Sequence, residues 1–146
     1  MEYMHIALEE ALLAAAEGEI PVGAVIVKDG EIIARAHNRR ESDHDPTAHA
    51  EMLAMRQAAL ALGDWRLRGC TLYVTLEPCP MCAGAMVMSQ LEACTYGAAD
   101  DKQGCCGSVY DLPGDPALAG QTKWRAGVMA EECSALMHSF FAGRRG

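Results

Sequence analysis

Two short stretches of the sequence restrict the fold more than any other feature, because their side chains are useful only if the fold brings them together. The stretch 47–51 carries His49 and Glu51, and the stretch 77–82 carries Cys79 and Cys82. One imidazole and two thiolates form a donor set that suits Zn²⁺. Structural zinc sites use four protein ligands, whereas catalytic sites use three and keep the fourth position for water. The sequence therefore predicts a catalytic zinc site at which His49, Cys79 and Cys82 meet.

The spacing of the two cysteines is typical of a helix start. Cys79 and Cys82 are three residues apart, so on a helix they lie on one face, about one turn from each other. Pro78 and Pro80 are compatible with the entry and the first turn of a helix, where a missing N–H costs little. The positive end of the helix dipole lowers the pKa of a nearby thiol and favours metal binding. We therefore expect a helix over residues 80–89 to begin at this pair.

His49 is expected in the first turn of another helix, over residues 48–62, with Asp45 or Thr47 as the N-cap. Glu51 would lie roughly 200° from His49 around an ideal helix, so the two residues should not both bind a metal on one flank. If the helix end points at the metal, Glu51 can reach the water in the fourth position. Glu51 is therefore predicted to be a general acid/base and not a fourth ligand.

Each motif has an ordinary explanation when it is taken alone. A Cys-x-x-Cys pair can be redox-active or structural, and a histidine at a helix start is usually only a polar residue. Together, His-x-Glu followed by Pro-Cys-x-x-Cys match the signature of zinc-dependent nucleobase deaminases. That signature implies attack of water on a ring carbon, C6 in adenine, with Glu51 moving the protons. Backbone N–H groups near Cys79 and Ala50 are expected to orient the base and the attacking oxygen.

Hydrophobic periodicity divides the whole chain, 1–146, into alternating helices and strands that we expect to form a single domain. The alternation predicts an α/β domain with helices on both faces of a mixed sheet, and both metal stretches at one sheet edge. Asp29-Gly30 is a hairpin signal between the first two strands. The predicted helices are 3–17, 48–62, 80–89 and 127–141, the last followed by an end at Gly143–Gly146; the predicted strands are 21–28, 31–37, 70–76, 91–97 and 108–112; residues 38–46 and 113–120 are predicted loops.

Composition and charge narrow the function classes. Hydrophobic residues make up 51% of the chain, enough for a core, and the net charge of −8 disfavours general affinity for nucleic acid. Seven cysteines are an odd number, and those outside the metal site read as reduced and buried, although adjacent Cys105 and Cys106 could form a redox pair. No signal peptide or membrane span is predicted, so we expect a reducing, cytoplasmic location.

The sequence resembles the bacterial tRNA-specific adenosine deaminases of the cytidine deaminase-like superfamily, over nearly the whole chain. The zinc motif is shared with cytosine and guanine deaminases, whereas the later Gly-Ala-x-Asp-x-Lys-x-Gly segment is narrower and indicates the tRNA branch. The matching pieces are Pro21–Val25, Asn38-Arg39, Asp45–Glu51, Thr71–Cys79, Met81–Met86, Gly97-Ala98 with Asp100, Lys102, Gly104, Gly107 and Ser108, then Glu131–Cys133 and Phe140-Phe141.

The resemblance implies a cytidine deaminase-like, three-layer α/β/α domain, a Zn²⁺ cofactor, a homodimer, and conversion of adenosine to inosine at the wobble position of a tRNA anticodon loop. It implies that Asn38 contacts the flipped base or its ribose and that Asp100 and Lys102 hold neighbouring nucleotides. Phe141 would form part of the pocket wall. Taken from the residues alone, Asn38 reads as a turn residue, Asp100 and Lys102 as a solvated loop, and Phe141 as core.

The sequence departs from the family pattern where RNA contacts are expected. Ala99 stands where the family has an arginine, Met88 where it often has a histidine, and Cys105-Cys106 where it has small alanines. Residues 118–123 lack the family's Asn-His pair. Two alternatives therefore stay open: a deaminase of a free base or nucleoside, of guanine or cytosine type, and a non-catalytic, zinc-stabilised module that binds RNA or protein. Glu51 argues against the second, because a structural site does not need that carboxylate.

Overall fold

The computed structural model describes residues 2–118 and 122–144 of the chain. Residues 119–121, within the stretch that lacks the Asn-His pair and the predicted loop 113–120, and residues 145–146, at the predicted C-terminal end, lie outside the described residues. The elements in chain order are α1 (Glu2–Ala16), β1 (Gly23–Lys28), β2 (Glu31–His37), α2 (Arg40–Asp43), α3 (Ala50–Leu62), β3 (Cys70–Leu76), α4 (Pro80–Met88), β4 (Ala93–Ala98), β5 (Lys123–Arg125) and α5 (Ala130–Arg144).

The strands form one mixed sheet in the order β2-β1-β3-β4-β5. β1 is antiparallel to β2 and β3, whereas β4 runs parallel to β3 and β5. The predicted hairpin is confirmed, because β1 and β2 pair through Asp29 and Gly30, which both have positive φ, 51° and 76°. A two-residue turn with two positive φ angles matches the right-handed twist of the strands that it joins.

The sheet is the middle of three layers, as predicted. Alternate residues of β1 face opposite sides: Ala24 and Ile26 belong to a core cluster with α3 and α4, and Val25 and Val27 to a second cluster with α1 and α5. This alternation follows from the two-residue period of a strand. Burial on both faces explains why β1 reads as a continuous apolar run. Among the described residues, no helix has both the length and the apolar character that a membrane crossing requires.

In the second half of the sheet one predicted strand is wrong and one observed strand was not predicted. Residues 108–112 do not form a strand, because their one ladder contact is an isolated bridge between Cys106 and Asp111. The segment instead turns back on itself, with the N–H of Gly107 donating to the carbonyl of Tyr110. β5 was not predicted, because it has three residues and all are exposed, so it lacks the alternation of a half-buried strand.

Most other predicted bounds differ from the structure by one or two residues, and two segments differ more. The predicted polar loop 38–46 contains the short helix α2, which is followed by His44 with a φ of 49°. α5 begins at Ala130 instead of Gly127 and continues through Gly143 to Arg144. Gly127 has a φ of 81° and lies in the turn before the helix, while Gly143 costs the helix only the ordinary entropy of a glycine.

Candidate active site

The start of α3 carries the histidine of the predicted site. α3 begins at Ala50, so His49 is the residue before the helix, with φ −75° and ψ 150°, and not a member of the first turn. The predicted N-cap is also wrong, because Asp45 Oδ1 accepts hydrogen bonds from the N–H and hydroxyl of Thr47, at 2.8 and 2.7 Å, and so closes its own turn. The N–H of Ala50 donates instead to Oδ1 of Asn38, at 2.8 Å. That N–H is therefore engaged within the protein, and the orienting role of the backbone N–H groups near Ala50 and Cys79 stays a prediction.

The start of α4 carries the two cysteines, as predicted. Cys79 is the residue before the helix and Pro80 is its first residue, where the fixed φ of proline suits a helix and its missing N–H costs nothing. The carbonyl of Cys79 accepts the first helical hydrogen bond, from Ala83 at 2.9 Å. Cys82 lies in the first turn and is fully buried. Both sulfurs are thus held by the beginning of one helix.

The three donors form a compact triangle. His49 Nδ1 lies 3.5 Å from Cys79 Sγ and 3.6 Å from Cys82 Sγ. All three donor atoms lie within 4.8 Å of one another. In a tetrahedral site with Zn–N near ~2.05 Å and Zn–S near ~2.3 Å, nitrogen and sulfur ligands are about 3.5 Å apart. The two nitrogen–sulfur distances therefore match those of a tetrahedral zinc site, and among the described residues this is the one such group of metal donors.

The electrostatics of the triangle favour a thiolate at Cys79. Hydrogen bonds from the Cys82 thiol and from His49 lower the pKa of Cys79 to about 4. The hydrogen bond that the Cys82 thiol donates to Cys79 raises the pKa of Cys82. The hydrogen bond between His49 and Cys79 likewise raises the pKa of His49. A thiolate is the form that binds a metal. One donor of the set is thus already in its ligand form.

Glu51 lies beside the triangle but outside it. Its side chain is buried in the first turn of α3, and burial raises its pKa to about 7. It forms a hydrogen bond with the Cys82 thiol. A carboxyl group whose pKa lies close to neutral can both accept and donate a proton during a reaction. The position and the pKa of Glu51 therefore suit proton transfer.

A cavity of about 540 Å³ opens above the triangle. It has the size and depth of a site for a small organic group such as a nucleobase. Seven of the eight predicted site residues line it, and the eighth, Cys82, is buried next to the lining residue His49. The seven are Asn38, His49, Glu51, Cys79, Asp100, Lys102 and Phe141.

Two of the predicted substrate contacts also have structural partners. Asn38 connects two segments, because its amide donates to the carbonyl of Ile20 at 3.2 Å while its oxygen accepts from the N–H of Ala50. Asp100 Oδ1 accepts the N–H groups of Lys102 and Gln103, at 3.0 and 3.2 Å, and closes a turn. The exposed side chain of Lys102 and the half-exposed ring of Phe141 remain free to meet a ligand at the cavity mouth.

The cavity also has lining residues that the sequence reasoning missed. α5 contributes Ser134, Met137 and His138 beside Phe141, and this spacing of three, four and seven residues is that of one helix face. The helical period of these residues relative to Phe141 is the sequence pattern that could have predicted them as cavity-lining residues. Arg40 lies on α2, whose position depends on the buried carboxylate of Glu19. The N–H groups of Glu41 and Ser42 and the Ser42 hydroxyl donate to it.

The remaining cysteines show no redox arrangement. All seven cysteines of the chain are free. Cys105 and Cys106 are both buried, and burial raises the pKa of each thiol, that of Cys106 to about 12. A buried thiol of high pKa reacts slowly with oxidants. The two residues are thus packing residues beside the cavity.

Comparison with known proteins gives three results. The family model described as the cytidine and deoxycytidylate deaminase zinc-binding region matches residues 1–98. The tRNA-specific adenosine deaminase of Bacillus subtilis (strain 168) is 52% identical over 139 residues, which cover 95% of this chain and 86% of the relative. A solved structure from studies of A-to-I editing by tRNA:A34 deaminases at the wobble position of transfer RNA is 41% identical, with a TM-score of 0.90. The alignment covers 92% of this chain and 98% of that one.

A more distant solved structure has a different substrate. It is a guanine deaminase from Nitrosomonas europaea, 25% identical to this chain, with a TM-score of 0.84. The alignment covers 96% of this chain and 83% of that one. Proteins with this fold therefore act on different substrates, and the residues that line the cavity must determine which substrate is bound.

Proposed function

The chain belongs to the tRNA-specific adenosine deaminases, within the cytidine and deoxycytidylate deaminase zinc-binding family, and from that membership we propose that it converts adenosine to inosine at the wobble position of a tRNA anticodon loop. The observation that carries the proposal is the triangle of His49, Cys79 and Cys82 with the buried carboxyl of Glu51 beside it, at the bottom of a base-sized cavity. A structural zinc site would have no need of that carboxyl group.

His49, Cys79 and Cys82 are the residues that would hold zinc. When zinc is bound there, it supplies the Lewis acidity that brings the pKa of a water close to about 7. The chain supplies the three donors and holds one of them in a fixed position. Cys82 is fully buried, and its place in the first turn of α4 fixes the direction of its sulfur. His49 and Cys79 are only partly buried and line the cavity, so a ligand in the cavity can reach their side of the site.

Glu51 carries the protons. It accepts one from the attacking water, passes it to N1 of the adenine ring, and then delivers the second proton of that water to the amine that leaves C6. The net reaction takes adenosine and water to inosine and ammonia. A side chain with a pKa of about 7 suits both halves of this cycle, since neither its acid nor its base form is strongly favoured.

The mouth of the cavity supplies the contacts beyond the reacting base. Lys102 and Arg40 are cationic, and Phe141 offers a ring face at the same opening. Cations meet phosphates, and aromatic rings stack with unpaired bases, in proteins that bind single-stranded RNA. A flipped adenosine within a single-stranded loop therefore matches the cavity better than a base inside a helix.

The direct test is incubation of the zinc-loaded protein with an unmodified tRNA transcript that carries A at the wobble position. Nuclease digestion and mass spectrometry then measure inosine, and a matched transcript with G at that position is the control. Separate reactions with adenosine, guanine and cytosine measure ammonia release. Inosine from the A-containing transcript alone supports the proposal. Faster deamination of guanine or cytosine than of the tRNA would reject it in favour of the free-base alternative.

We also propose that the protein acts as a homodimer in the cytoplasm. The dimer follows from family membership, and light scattering should give twice the chain mass of 15.6 kDa. A cytoplasmic location agrees with the free thiols of all seven cysteines and with the presence of tRNA in that compartment. A monomeric mass at micromolar concentration would contradict the first statement without touching the catalytic proposal.

A further inference from the structure

Glu77 is a buried carboxylate that the reaction described above does not use. It follows β3 directly, lies two residues before Cys79, and is only 2% exposed. Its Oε1 accepts the N–H of Asp100 at 3.0 Å and the hydroxyl of Ser108. Its Oε2 accepts the N–H of Cys106 at 2.9 Å and that of Ser108 at 3.1 Å. One side chain thus receives four hydrogen bonds from a single loop.

The backbone around Glu77 adds two further connections, one to the end of β4 and one to the same loop. The N–H of Glu77 donates to the carbonyl of Ala98 at 2.8 Å, and the carbonyl of Pro78 accepts the N–H of Cys105 at 2.9 Å. The carboxylate reaches into the loop so closely that a Cβ on Gly104 would lie 2.3 Å from its Cδ. The loop is therefore shaped around the carboxylate, and Gly104 leaves the space for it.

The loop that Glu77 holds is one wall of the cavity. Residues 99–103 all line the cavity, and residues 99–105 contain no helix or strand. The N–H of Asp100, near the start of this loop, is bound to Glu77, and Cys106 and Ser108, at the end of the loop, are bound to the same carboxylate. Both ends of the loop are thus fixed to the residue that leads into the ligand turn of Cys79.

We propose that Glu77 is a positioning residue for the deamination reaction: it holds the loop 99–108 at a fixed distance from the zinc-binding turn and so sets the width of the substrate cavity. The inference rests on the proposed function for the identity of the substrate. Glu77 itself borders the cavity, but both of its carboxylate oxygens are occupied by donors of the loop, so it acts through the loop whose residues Asp100 and Lys102 face the substrate.

The hydrogen-bond pattern explains why a carboxylate is required. Each of its two oxygens accepts two donors, so in Glu77→Gln either orientation of the amide turns an NH₂ group towards a backbone N–H and a second donor. A buried donor that loses its acceptor destabilises the local structure more than the loss of an exposed contact. Ser108→Ala removes a single donor and leaves the three backbone N–H groups in place, so it is the milder variant.

The experiment compares Glu77→Gln with Thr122→Val in the zinc-loaded protein. The Thr122 hydroxyl is buried and donates to the carbonyl of Leu91 at 2.6 Å, and Thr122 does not line the cavity. Both variants lose buried hydrogen bonding, but only the first affects the cavity wall. The measurements are zinc content, kcat and KM on the transcript with A at the wobble position, and hydrogen exchange of the amides in 98–108.

We expect Glu77→Gln to raise KM about 10-fold with kcat within twofold, because small displacements of a binding wall have large effects on productive binding. Zinc content should stay at one per chain, and the amides of Asp100, Cys106 and Ser108 should exchange faster. Thr122→Val should leave KM and the exchange of these amides unchanged, even if its melting temperature falls. Ser108→Ala should raise KM by about 2-fold to 3-fold, since one hydrogen bond of four is lost.

Gly104→Ala provides an independent variant should Glu77→Gln fail to fold, because it pushes the loop away without altering the carboxylate. It should raise KM as Glu77→Gln does. Equal KM in wild type and in both variants, loss of zinc from Glu77→Gln, or a parallel change in Thr122→Val would each overturn the proposal. If the wild type does not deaminate tRNA, the proposed function fails. Faster amide exchange of 98–108 in Glu77→Gln, but not in Thr122→Val, would still establish that Glu77 holds the loop.

Discussion

The two sides of the cavity are built from different kinds of structure. On the metal side, His49 and Cys79 are the residues that immediately precede α3 and α4, and both helices pack on the sheet. On the opposite side, the loop 99–108 contains no helix or strand, and its shape depends on hydrogen bonds to Glu77 and to Asp100.

This difference separates chemistry from recognition. Donors at helix starts are held by many packing contacts, so their spacing tolerates changes elsewhere in the chain. A loop that is fixed at a few polar points can change its exposed residues, such as Ala99, without disturbing the donors. We therefore expect substitutions on the metal side to abolish the reaction, and substitutions on the loop side to alter substrate binding with little change in kcat.

The largest effect is expected from Cys82→Ala. It removes a fully buried donor, and because metal binding contributes folding free energy, the variant should lose zinc, melt at a lower temperature and show no deamination above background. Atomic emission measures the zinc, and circular dichroism measures the melting. Cys94→Ala is the matched control, since Cys94 is equally buried but is not a donor. Retention of a full zinc complement by Cys82→Ala would contradict the ligand assignment.

Glu51→Ala tests the other residue of the metal side and should act on rate alone. General acid–base groups contribute about 10²-fold to 10⁴-fold, so kcat should fall within that range while zinc stays bound. The melting temperature should not fall, because removing a buried carboxyl that is held mainly for proton transfer relieves the cost of its burial. Discontinuous assays that quantify ammonia and inosine at fixed times measure the rate. Turnover equal to that of the wild type would remove Glu51 from the mechanism.

The metal side was also the more predictable from sequence. The ligands belong to a motif with fixed spacing, and the strands beside them are recognisable as a continuous apolar run in β1 and as a largely alternating pattern in β3. The exact start of α3 was not predictable in this way. Its first N–H is bound by Asn38, twelve residues upstream, whereas capping rules consider only the neighbouring residues 45–49.

The loop side was less predictable because its order depends on distant partners. Glu77 binds groups that are 23, 29 and 31 residues further along the chain. No local period or turn signal relates such residues, and an acid at the end of an apolar strand gives no sign of its burial. The segment 108–112 therefore resembled a strand, although its backbone groups bond mostly within the loop. The predicted substrate contacts of Asp100 and Lys102 came from family resemblance alone.

Lys102→Ala tests the loop side through its charge. If the exposed ammonium meets an RNA phosphate, the substitution should weaken tRNA binding about 3-fold to 5-fold at low salt and reduce the slope of log K against log salt by about 0.7. Fluorescence titration at several salt concentrations measures both, and kcat should stay within twofold of wild type. Lys28→Ala removes the same charge outside the cavity and serves as the control. An unchanged slope of log K against log salt would show that Lys102 does not contact an RNA phosphate.

The smallest effect is expected from Phe141→Ala, on the α5 side of the cavity mouth. The ring is 39% exposed and already packs edge-on against Phe140, with centroids 5.5 Å apart, so it contributes part of a wall and not a full stacking platform. Full base stacking is worth about 1–3 kcal/mol by alanine substitution, so a partial contact should raise KM about 2-fold to 3-fold, below the effect of Lys102→Ala. Leu60→Ala, in an exposed position of α3 outside the cavity, controls for loss of surface apolar area. A rise in KM beyond that of Lys102→Ala would reverse the comparison, because the regular helix α5 and not the loop would then dominate recognition.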